Sequence, residues 1–419
     1  MIGLLGVLVL LGLAFAVSNN RRAAFNLKIL GWGLGLQLLF AFLALRTPLG
    51  ARLFVAANAA ADAFIGFTNA GIRFVFGDWP QLTVVSQPTP EGGTESVVVG
   101  FLFAVKVLPI IIYVASVMAI LYHLGIMQRV VALLARFLAR IMGISGAEAL
   151  STVGDIFLGM TEAPLLIRPY LARMTQSELF TVMTAGMATI AGSVLLAYTA
   201  MGIDAGFLVT ASFMSAPGAV LMAKIMVPET ETPQTLGQVK LEVPKLDVNV
   251  VDAAARGASE GLQLALNVGA MLIAFVALLH MLDAGVGAIG GLFGLPELSF
   301  ATVLGWPLAP LAWLMGVPWA DAPFVGSLLG TKTVLNEFLA YRDLAAQASG
   351  LHPKTVVIAS FALCCFANFG SLAIVLGGIG GMVPERRPDL ARLGVRAIFA
   401  GGLATCLAAT VAGLLAPAS

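Results

Sequence analysis

Long apolar stretches decide what this chain can fold into. A membrane-spanning helix needs about 20 apolar residues, and blocks of that kind, rich in Leu, Ala, Gly and Val, recur from Ile2 to Leu415. The chain is 59% hydrophobic and 11% charged, whereas a soluble domain is about 25% charged. The sequence therefore predicts an all-α integral membrane protein. A net charge of +1 gives no electrostatic reason to expect nucleic acid as a partner.

Eight transmembrane helices are predicted from these blocks. They lie near residues 2–17, 29–45, 98–123, 179–201, 205–226, 262–282, 355–383 and 390–415. No positive charge precedes the first block, while Arg21, Arg22 and Lys28 follow it, which is the reverse of a signal peptide. We therefore expect an uncleaved first span whose N-terminus lies outside the cell.

Two polar segments separate the spans. Between residues 47 and 99, an amphipathic run rich in Ala and Phe precedes the polar stretch Asp78–Glu95. This pattern predicts an interfacial helix followed by an extracytoplasmic loop. The longest polar segment, Val227–Glu260, divides the membrane region into two halves.

Ionisable residues interrupt the apolar pattern at two places. In Met127–Tyr170, Asp155 and Glu162 stand among glycines and a proline. No stretch of about 20 apolar residues fits there, so two half-helices in a re-entrant hairpin are predicted. Pro318–Asp343, which holds Glu337, predicts a second hairpin. An ionisable residue at membrane depth indicates a functional site.

Each predicted hairpin is followed by a span with a polar, glycine-bearing centre, Thr189–Ser193 in the first half and Asn368–Ser371 in the second. The final serine of each centre lies 31 residues after Glu162 and 34 residues after Glu337, respectively. Matching interruptions in two halves predict an internal repeat with broken helices and a transporter's binding site between them. Interrupted helices free carbonyls for a cation and amides for a polar substrate.

Each of these features also has a purely structural interpretation. Glu162 could pair with Arg168 and Glu337 with Lys332, while Asp155 could cap a half-helix. The Gly-Ser pairs could be helix-packing contacts. Two glutamates matched to two broken helices at similar offsets are harder to explain as separate accidents, so a transporter is favoured.

The polar groups suit a neutral ligand with several hydroxyls, because carboxylates and amides both bond to hydroxyl groups. Phe366 offers an aromatic face for a flat ring. The chain has no Walker motif, so we expect ion-coupled transport rather than ATP-driven transport.

At the interrupted segments the chain resembles the concentrative nucleoside transporters. The matching motifs are Gly159–Tyr170 (GMTEAPLLIRPY), Met183–Ser193 (MTAGMATIAGS), Leu335–Phe338 (LNEF) and Phe366–Ser371 (FANFGS). The similarity covers essentially the whole chain in order. It implies a homotrimer of eight-helix protomers, surrounded by lipids of the cytoplasmic (inner) membrane, that takes up nucleosides such as uridine, cytidine and adenosine by an elevator mechanism.

The resemblance also implies two kinds of domain. Residues 1–126 would form part of a scaffold, and residues 236–295 would add a linker and a scaffold helix. The moving transport domain would comprise residues 127–235 and 296–419, one half from each repeat.

The family's pattern assigns two sets of site residues and no organic cofactor. The substrate would be bound by Met160, Thr161, Glu162, Val194, Glu337, Phe366, Asn368 and Ser371. Of these, Glu337, Asn368 and Ser371 would contact the ribose hydroxyls, and the others would lie at the base. Sodium would be bound by the carbonyls of Asp155, Leu158 and Ile190 and by the carbonyl and hydroxyl of Thr189. Such an oxygen-only set suits a hard cation.

Two residues depart from the family's pattern. Met160 stands where the better-known members carry Gln, and a thioether cannot replace the donors of an amide. The preference between purines and pyrimidines is therefore open. Asp155 stands where Asn is common, and its carboxylate would either strengthen sodium binding or carry a proton. Sodium is favoured as the coupling ion, with a proton as the alternative.

Two other classes of protein are less consistent with the sequence. A membrane-embedded enzyme could use Asp155, Glu162 and Glu337 as acid, base or metal ligands, but no histidine lies near them and no zinc or hydrolase motif is present. The three cysteines have no metal-binding spacing and are interpreted as packing residues. A passive channel would line an open pore with rings of charge or carbonyls, whereas this chain pairs two hairpins with a site at membrane depth.

Overall fold

The computed structural model describes residues 2–77, 84–88, 94–98, 102–238, 247–295 and 298–416. Within these ranges the chain is almost entirely helical. The α-helices are α1 Ile2–Ala16, α2 Arg21–Ala24, α3 Leu27–Arg46, α4 Pro48–Phe76, α5 Phe103–Lys106, α6 Leu108–His123, α7 Ile126–Met142, α8 Gly146–Gly154, α9 Arg168–Leu171, α10 Gln176–Ala188, α11 Gly192–Ala200, α12 Ala205–Met226, α13 Val250–Leu292, α14 Phe300–Leu314, α15 Ala322–Val334, α16 Glu337–Gln347, α17 Pro353–Leu363, α18 Phe369–Met382 and α19 Arg387–Leu415. Short 3-10 helices span Ala163–Ile167, Ala348–Gly350 and Pro384–Arg386.

The predicted all-α membrane fold is confirmed. Seven helical segments of the described chain are long and apolar enough to cross a membrane, and they include six of the eight predicted spans. The first predicted span is the 15-residue α1, and the seventh is divided into α17 and α18. The remaining long segment is α4, whose predicted interfacial position stays a prediction.

Within the described ranges, one antiparallel β-hairpin interrupts the helical fold, and it was not predicted. Strands β1 Val84–Pro88 and β2 Thr94–Val98 pair with Val84 opposite Val98. They lie in and just after the predicted extracytoplasmic loop, part of which falls outside the described residues. The predicted start of the third span near Val98 was therefore wrong, because Val98 belongs to β2 and the helices begin at Phe103.

Both predicted hairpins are made of short helical arms. In the first, Ser145 and Glu148 form a capping box that begins α8, and the arm Ala163–Ile167 packs back against α8. In the second, α15 contacts α16 across a two-residue connection. The half-helices that the sequence predicts at these places are confirmed.

Both predicted helix interruptions are present. Residues 189–191 separate α10 from α11, and residues 364–368 separate α17 from α18. Thr189 has extended backbone angles (φ −119°, ψ 170°), so α10 ends at Ala188. The two breaks free backbone carbonyls and amides inside the protein.

The start of α13 differs from the prediction. The helix begins at Val250 rather than near Leu262, because Asn249 caps it and Arg256 pairs with Glu260 one turn later. Hydropathy detects only the part of a helix that suits a membrane, so it missed this polar first part. Arg256 also donates to both carboxylate oxygens of Asp247, at 2.6 and 2.9 Å, and holds the pKa of Asp247 below its ordinary value.

Packing distinguishes enclosed helices from outer ones, and α13 is the least buried of the outer ones among the membrane-length segments of the described chain. Within the best membrane window of each segment, 78% of residues are buried for α10–α11, for α12 and for α19, against 6% for α13. Helix α13 contacts α6 closely, and a Cβ atom on Gly261 would lie 2.8 Å from Cβ of Ala115. The candidate site lies between α13 and the enclosed group.

Candidate functional site

The eight predicted substrate residues line a single cavity. The cavity contains about 770 Å³ of space, including the part that is open to solvent. Its polar side is formed by the turn of the first hairpin, the start of α11, the start of α16 and the second helix break. The residues from the prediction on this lining are Met160, Thr161, Glu162, Val194, Glu337, Phe366, Asn368 and Ser371.

The opposite wall of the cavity is apolar and was not predicted. It consists of Leu264, Val268, Met271 and Leu272, all from α13. Their spacing of four, seven and eight residues from Leu264 places them on one face of the helix. A ligand in the cavity would therefore meet hydrogen-bonding groups on one side and hydrocarbon and thioether groups on the other.

Glu337 is the most constrained polar group of the cavity. It is 4% exposed and follows Asn336, whose side chain caps α16 by accepting the backbone N–H of Leu339 at 3.0 Å. The hydroxyl of Tyr198 donates to Oε1 of Glu337 at 2.8 Å, and Nδ2 of Asn368 donates to Oε2 at 3.0 Å. Each carboxylate oxygen has one donor and keeps a further lone pair for a ligand.

Tyr198 is a site residue that the sequence did not reveal. Its ring lies 4.7 Å from that of Phe338 and 4.6 Å from that of Tyr341, measured between centroids. A tyrosine hydroxyl buried among rings requires a polar partner. Tyr198 stands four residues after Val194, on the same face of α11. That spacing places Tyr198 near an assigned site residue, but it does not identify Glu337 as the partner of its hydroxyl.

Asn368 connects the second helix break to Glu337. Its Oδ1 accepts the backbone N–H of Ser371 at 2.7 Å and caps α18, while its Nδ2 donates to Glu337. Both ends of the amide are engaged, so its orientation is fixed by the chain itself. Phe366 and Ser371, which lie on either side of Asn368, are 9% and 5% exposed.

The turn of the first hairpin contributes Thr161 and Glu162. Oε2 of Glu162 accepts the backbone N–H of Gly159 at 3.0 Å. Thr161 contacts α18 at Gly378, where an added Cβ atom would lie 2.5 Å from Cγ2 of Thr161. Gly378 therefore lets the first hairpin approach the second half of the protein, a role that was not predicted.

The purely structural interpretations of the two glutamates are not supported. In the described part of the chain, Glu162 forms no ion pair with Arg168, and Glu337 forms none with Lys332. Asp155 stands at the C-cap position of α8, but its carboxylate makes no capping hydrogen bond to any described residue.

The predicted sodium ligands lie at the end of α8 and at the first helix break. Asp155 is 1% exposed, and neither of its carboxylate oxygens has a hydrogen-bond partner among the described residues. The carbonyls of Asp155, Leu158 and Ile190 likewise accept no hydrogen bond within those ranges. Buried oxygens without donors are costly unless a cation or water satisfies them. This set of oxygens fits a hard monovalent cation.

Thr189 differs from the other three because both of its oxygens are engaged. Its hydroxyl donates to the carbonyl of Ala185 at 2.8 Å, and its own carbonyl accepts the backbone N–H of Phe366 at 3.2 Å. Each oxygen keeps a lone pair that could face a cation. The second of these bonds joins the two helix breaks.

Three family models match consecutive parts of the chain. The model described as Na+ dependent nucleoside transporter N-terminus matches residues 5–79, and the model described as Nucleoside recognition matches residues 104–205. The model described as Na+ dependent nucleoside transporter C-terminus matches residues 207–413.

Several relatives align with almost the entire chain. The uncharacterized transporter YutK of Bacillus subtilis is 42% identical over 98% of this chain and 98% of its own length. An uncharacterized transporter of Haemophilus influenzae is 45% identical over 98% of this chain and 96% of its own length. The nucleoside permease NupC of Helicobacter pylori is 40% identical, again over 98% and 96% of the two chains.

Solved structures of the relative CNTnw share the fold. An inward-facing, substrate-bound state superimposes with a TM-score of 0.90, at 42% identity over 99% of both chains. An outward-facing state of a double variant superimposes with a TM-score of 0.89, over 99% of this chain and 97% of that one. Three intermediate states of a single-residue variant also match. These several states of one fold are consistent with alternating access.

Proposed function

Because the chain belongs to the Na⁺-dependent nucleoside transporter family, we propose that its central cavity binds a nucleoside and that sodium entry drives the transport. Nucleoside transport is the activity for which the family model and the Helicobacter pylori relative are named. The observation that carries the proposal is the convergence of all eight predicted substrate residues on one cavity, where Glu337 is held by two donors.

The ribose would bind at Glu337, Asn368 and Ser371. Tyr198 and Asn368 fix the Glu337 carboxylate before a ligand arrives, so little side-chain conformational freedom remains to be lost on binding. The lone pairs that remain on Glu337 can accept hydrogen bonds from ribose hydroxyls. A ligand without those hydroxyls would displace water from a buried carboxylate without replacing its hydrogen bonds, which is unfavourable.

The base would lie toward Thr161, Glu162, Val194 and Phe366, with Met160 at the edge of its pocket. The ring of Phe366 and the apolar face of α13 offer surfaces for a flat heterocycle. Glu162 can accept hydrogen bonds from an amino or imino group of the base. Met160 adds polarizable surface without a donor, so base selectivity would depend chiefly on Thr161 and Glu162.

Sodium would bind at Asp155, Leu158, Thr189 and Ile190. A bound cation supplies the positive charge that the buried oxygens of this set lack. The Asp155 carboxylate would give the site a full negative charge, which strengthens the attraction for a cation. The alternative coupling ion is a proton bound by Asp155. A buried carboxylate can bind a proton, whereas a site made of carbonyls alone cannot.

The transport domain would move as an elevator past α13. The cavity lies between α13 on one side and the hairpins and broken helices on the other. Such motion would therefore move the polar side of the site along the apolar wall on α13. The proposed boundary at residue 126 assigns α1 and α3 to the scaffold. Helix α1 packs mainly against α19 and α3 mainly against α12, whereas α6 packs mainly against α13, so these contacts favour moving α1 and α3 to the transport domain.

A homotrimer and a lipid annulus complete the proposal. The outer face of α13 exposes large apolar side chains, including Leu266 at 58%, Ile273 at 77% and Met281 at 63%. An apolar surface of this kind requires either lipid or another subunit. Close packing against α6 holds α13 in place, so its outer face could form contacts with another subunit.

The decisive experiment is uptake into proteoliposomes of purified protein. Radiolabelled uridine and adenosine would be offered under an inward sodium gradient, and separately under an inward proton gradient at equal sodium on both sides. We expect accumulation above the external concentration with the sodium gradient, and its collapse when the gradient is abolished. Accumulation with protons alone would replace sodium as the coupling ion. Equilibration without accumulation would indicate a channel, and no uptake of either nucleoside would contradict the substrate assignment.

A further inference from the structure

Lys332 is a buried cation that the proposed transport cycle leaves without a role. Its side chain is 3% exposed, in the last turn of α15. In the part of the chain that the structure describes, no carboxylate lies within 4 Å of its ammonium group. A buried charge without compensation is strongly unfavourable, so the polar groups in contact with Lys332, together with the more distant carboxylate of Glu337, must supply it.

The partners of Lys332 lie at the end of α17 and on α19. Its Nζ donates to the carbonyl of Ala362 at 2.5 Å, to Sγ of Cys365 at 3.0 Å and to Oγ1 of Thr405 at 3.4 Å. Ala362 belongs to the last turn of α17, just before the second break. The last carbonyls of a helix lack intrahelical donors and carry a partial negative charge. The ammonium therefore satisfies the end of α17, and Cys365 has a polar role beyond the packing role predicted for it.

The first repeat has the same arrangement with the opposite charge. Helix α8 packs on α10 as α15 packs on α17. Asp155, at the end of α8, faces the C-terminal part of α10, because a Cβ atom on Gly186 would lie 3.8 Å from its Oδ1. One repeat thus places a buried carboxylate without donors at the end of its broken helix. The other places a buried ammonium there with no carboxylate within 4 Å, although the more distant carboxylate of Glu337 attracts it.

We infer that Lys332 is a fixed cation built into the second repeat, and that it does beside the break of α17 what a bound coupling cation does beside the break of α10. The first repeat must then take up its cation in every cycle, while the second carries one permanently. Of these two related positions, only the one at Asp155 would exchange a cation with solvent. The comparison rests on the cation site proposed for the first repeat, whereas the contacts of Lys332 stand without it.

Lys332 would act as a positioning residue for the cavity. It fixes the end of α17, and the five residues that follow include Phe366 and Asn368. Phe366 donates its N–H to Thr189, and Asn368 donates to Glu337. Loss of the charge should therefore disturb substrate binding and the link between the two breaks, although Lys332 itself does not line the cavity.

The test is charge rescue of Lys332→Ala by n-propylammonium, which replaces the deleted atoms of the lysine side chain. Melting temperature and uridine uptake would be measured with the full-length protein, with and without the amine. We expect the variant to melt lower by about 5 °C, to lose uptake at least about tenfold, and to regain both in a saturable way with n-propylammonium but not with 1-propanol. Lys354→Ala, at the other end of α17, is the matched control and should not respond to the amine.

Three outcomes would overturn the inference. Equal rescue by 1-propanol would mean that only volume is missing, and wild-type melting and uptake of Lys332→Met would mean that the charge is not needed. If the alanine variant does not fold, Lys332→Arg and Lys332→Met decide, because recovery of the first but not the second supports a need for charge, and failure of both contradicts it. The melting temperatures test Lys332 even if nucleoside uptake by the wild type is absent, so the two proposals can fail separately.

Discussion

The backbone N–H of Phe366 lies 3.2 Å from the carbonyl oxygen of Thr189 and donates a hydrogen bond to it. This bond joins the break between α17 and α18 to the break between α10 and α11. Phe366 lines the cavity proposed to bind a nucleoside, and Thr189 belongs to the proposed sodium site. We expect a displacement of one break on ligand binding to act on the other through this bond, which offers a physical link between the two proposed ligand sites.

Glu337→Gln should reduce uptake strongly while the protein still folds. The amide has nearly the shape of the carboxylate, but its NH₂ group would face a donor, either the hydroxyl of Tyr198 or Nδ2 of Asn368. Losing a buried hydrogen bond to a charged group costs about 1.5–3 kcal/mol, so uptake should fall about 10- to 100-fold in kcat/KM. Radiolabelled uridine uptake and size-exclusion chromatography would measure the two effects.

Tyr198→Phe should reduce uptake less than Glu337→Gln does. It removes one donor to Glu337 and keeps the ring contacts with Phe338 and Tyr341. The expected loss of kcat/KM is smaller than that of Glu337→Gln, because Asn368 still donates to the carboxylate. Wild-type uptake by both variants would remove Glu337 from the substrate site.

Gly378→Ala should weaken nucleoside binding by crowding Thr161. The new Cβ atom would lie 2.5 Å from Cγ2 of Thr161, so either the first hairpin or α18 must shift. We expect KM for uridine to rise about tenfold, the equivalent of about 1.4 kcal/mol. Gly377→Ala is the matched control, because a Cβ atom there meets no atom within 4 Å. Equal uptake kinetics of the two variants would show that the contact at Thr161 does not matter.

Met160→Gln should change which nucleosides compete best for uptake. Met160 lines the cavity, and its Cβ atom would lie 2.8 Å from a Cβ atom on Gly186 of α10. The side chain is thus held against α10, and a glutamine there would present donors and an acceptor to the base. The readout is the inhibition of uridine uptake by a panel of purine and pyrimidine nucleosides. An unchanged order of inhibition would place the side chain outside the contacts that select the base.

Asp155→Asn should raise the sodium concentration needed for half-maximal uptake. The substitution keeps the shape and removes the negative charge of a side chain that is 1% exposed and has no donor among the described residues. We expect a rise of about tenfold or more, since hard cations prefer charged oxygen ligands. The sodium-dependent increase in melting temperature should shift to higher concentrations as well. An unaltered sodium dependence would show that the carboxylate does not face the cation.

The sequence predicted those parts of the site that depend on local pattern. Glu162 and Glu337 are ionisable residues in apolar surroundings, and such residues stand out in any hydropathy profile. The interruptions at Thr189 and Asn368 carry the small and polar residues that end a helix. These signals lie within a few positions of one another, so one chain is enough to read them.

The parts that depend on contacts between distant segments were not predictable. Tyr198 looks like any tyrosine in an apolar helix until Glu337, 139 residues away, is found beside its hydroxyl. Gly378 is one of several glycines in α18, and only the approach of Thr161 distinguishes it. The apolar wall on α13 was not predicted because Leu and Val side chains face lipid as readily as they face a ligand. The polar start of α13 was missed because its caps and ion pair stabilise a helix without adding hydropathy.

The apolar wall of the cavity also bears on how easily the protein can move. Leu264, Val268, Met271 and Leu272 offer no directional bond, so a ligand held by Glu337 can pass along α13 without breaking one. The next turn of the helix presents Phe275 and Val276, which are apolar as well. A shift of one helical turn, about 5.4 Å, replaces one apolar contact with another of similar strength. Helix α13 would thus present a uniform apolar surface, which keeps the free-energy barrier to movement of the transport domain low. Substrate recognition would then depend on the residues of the moving domain.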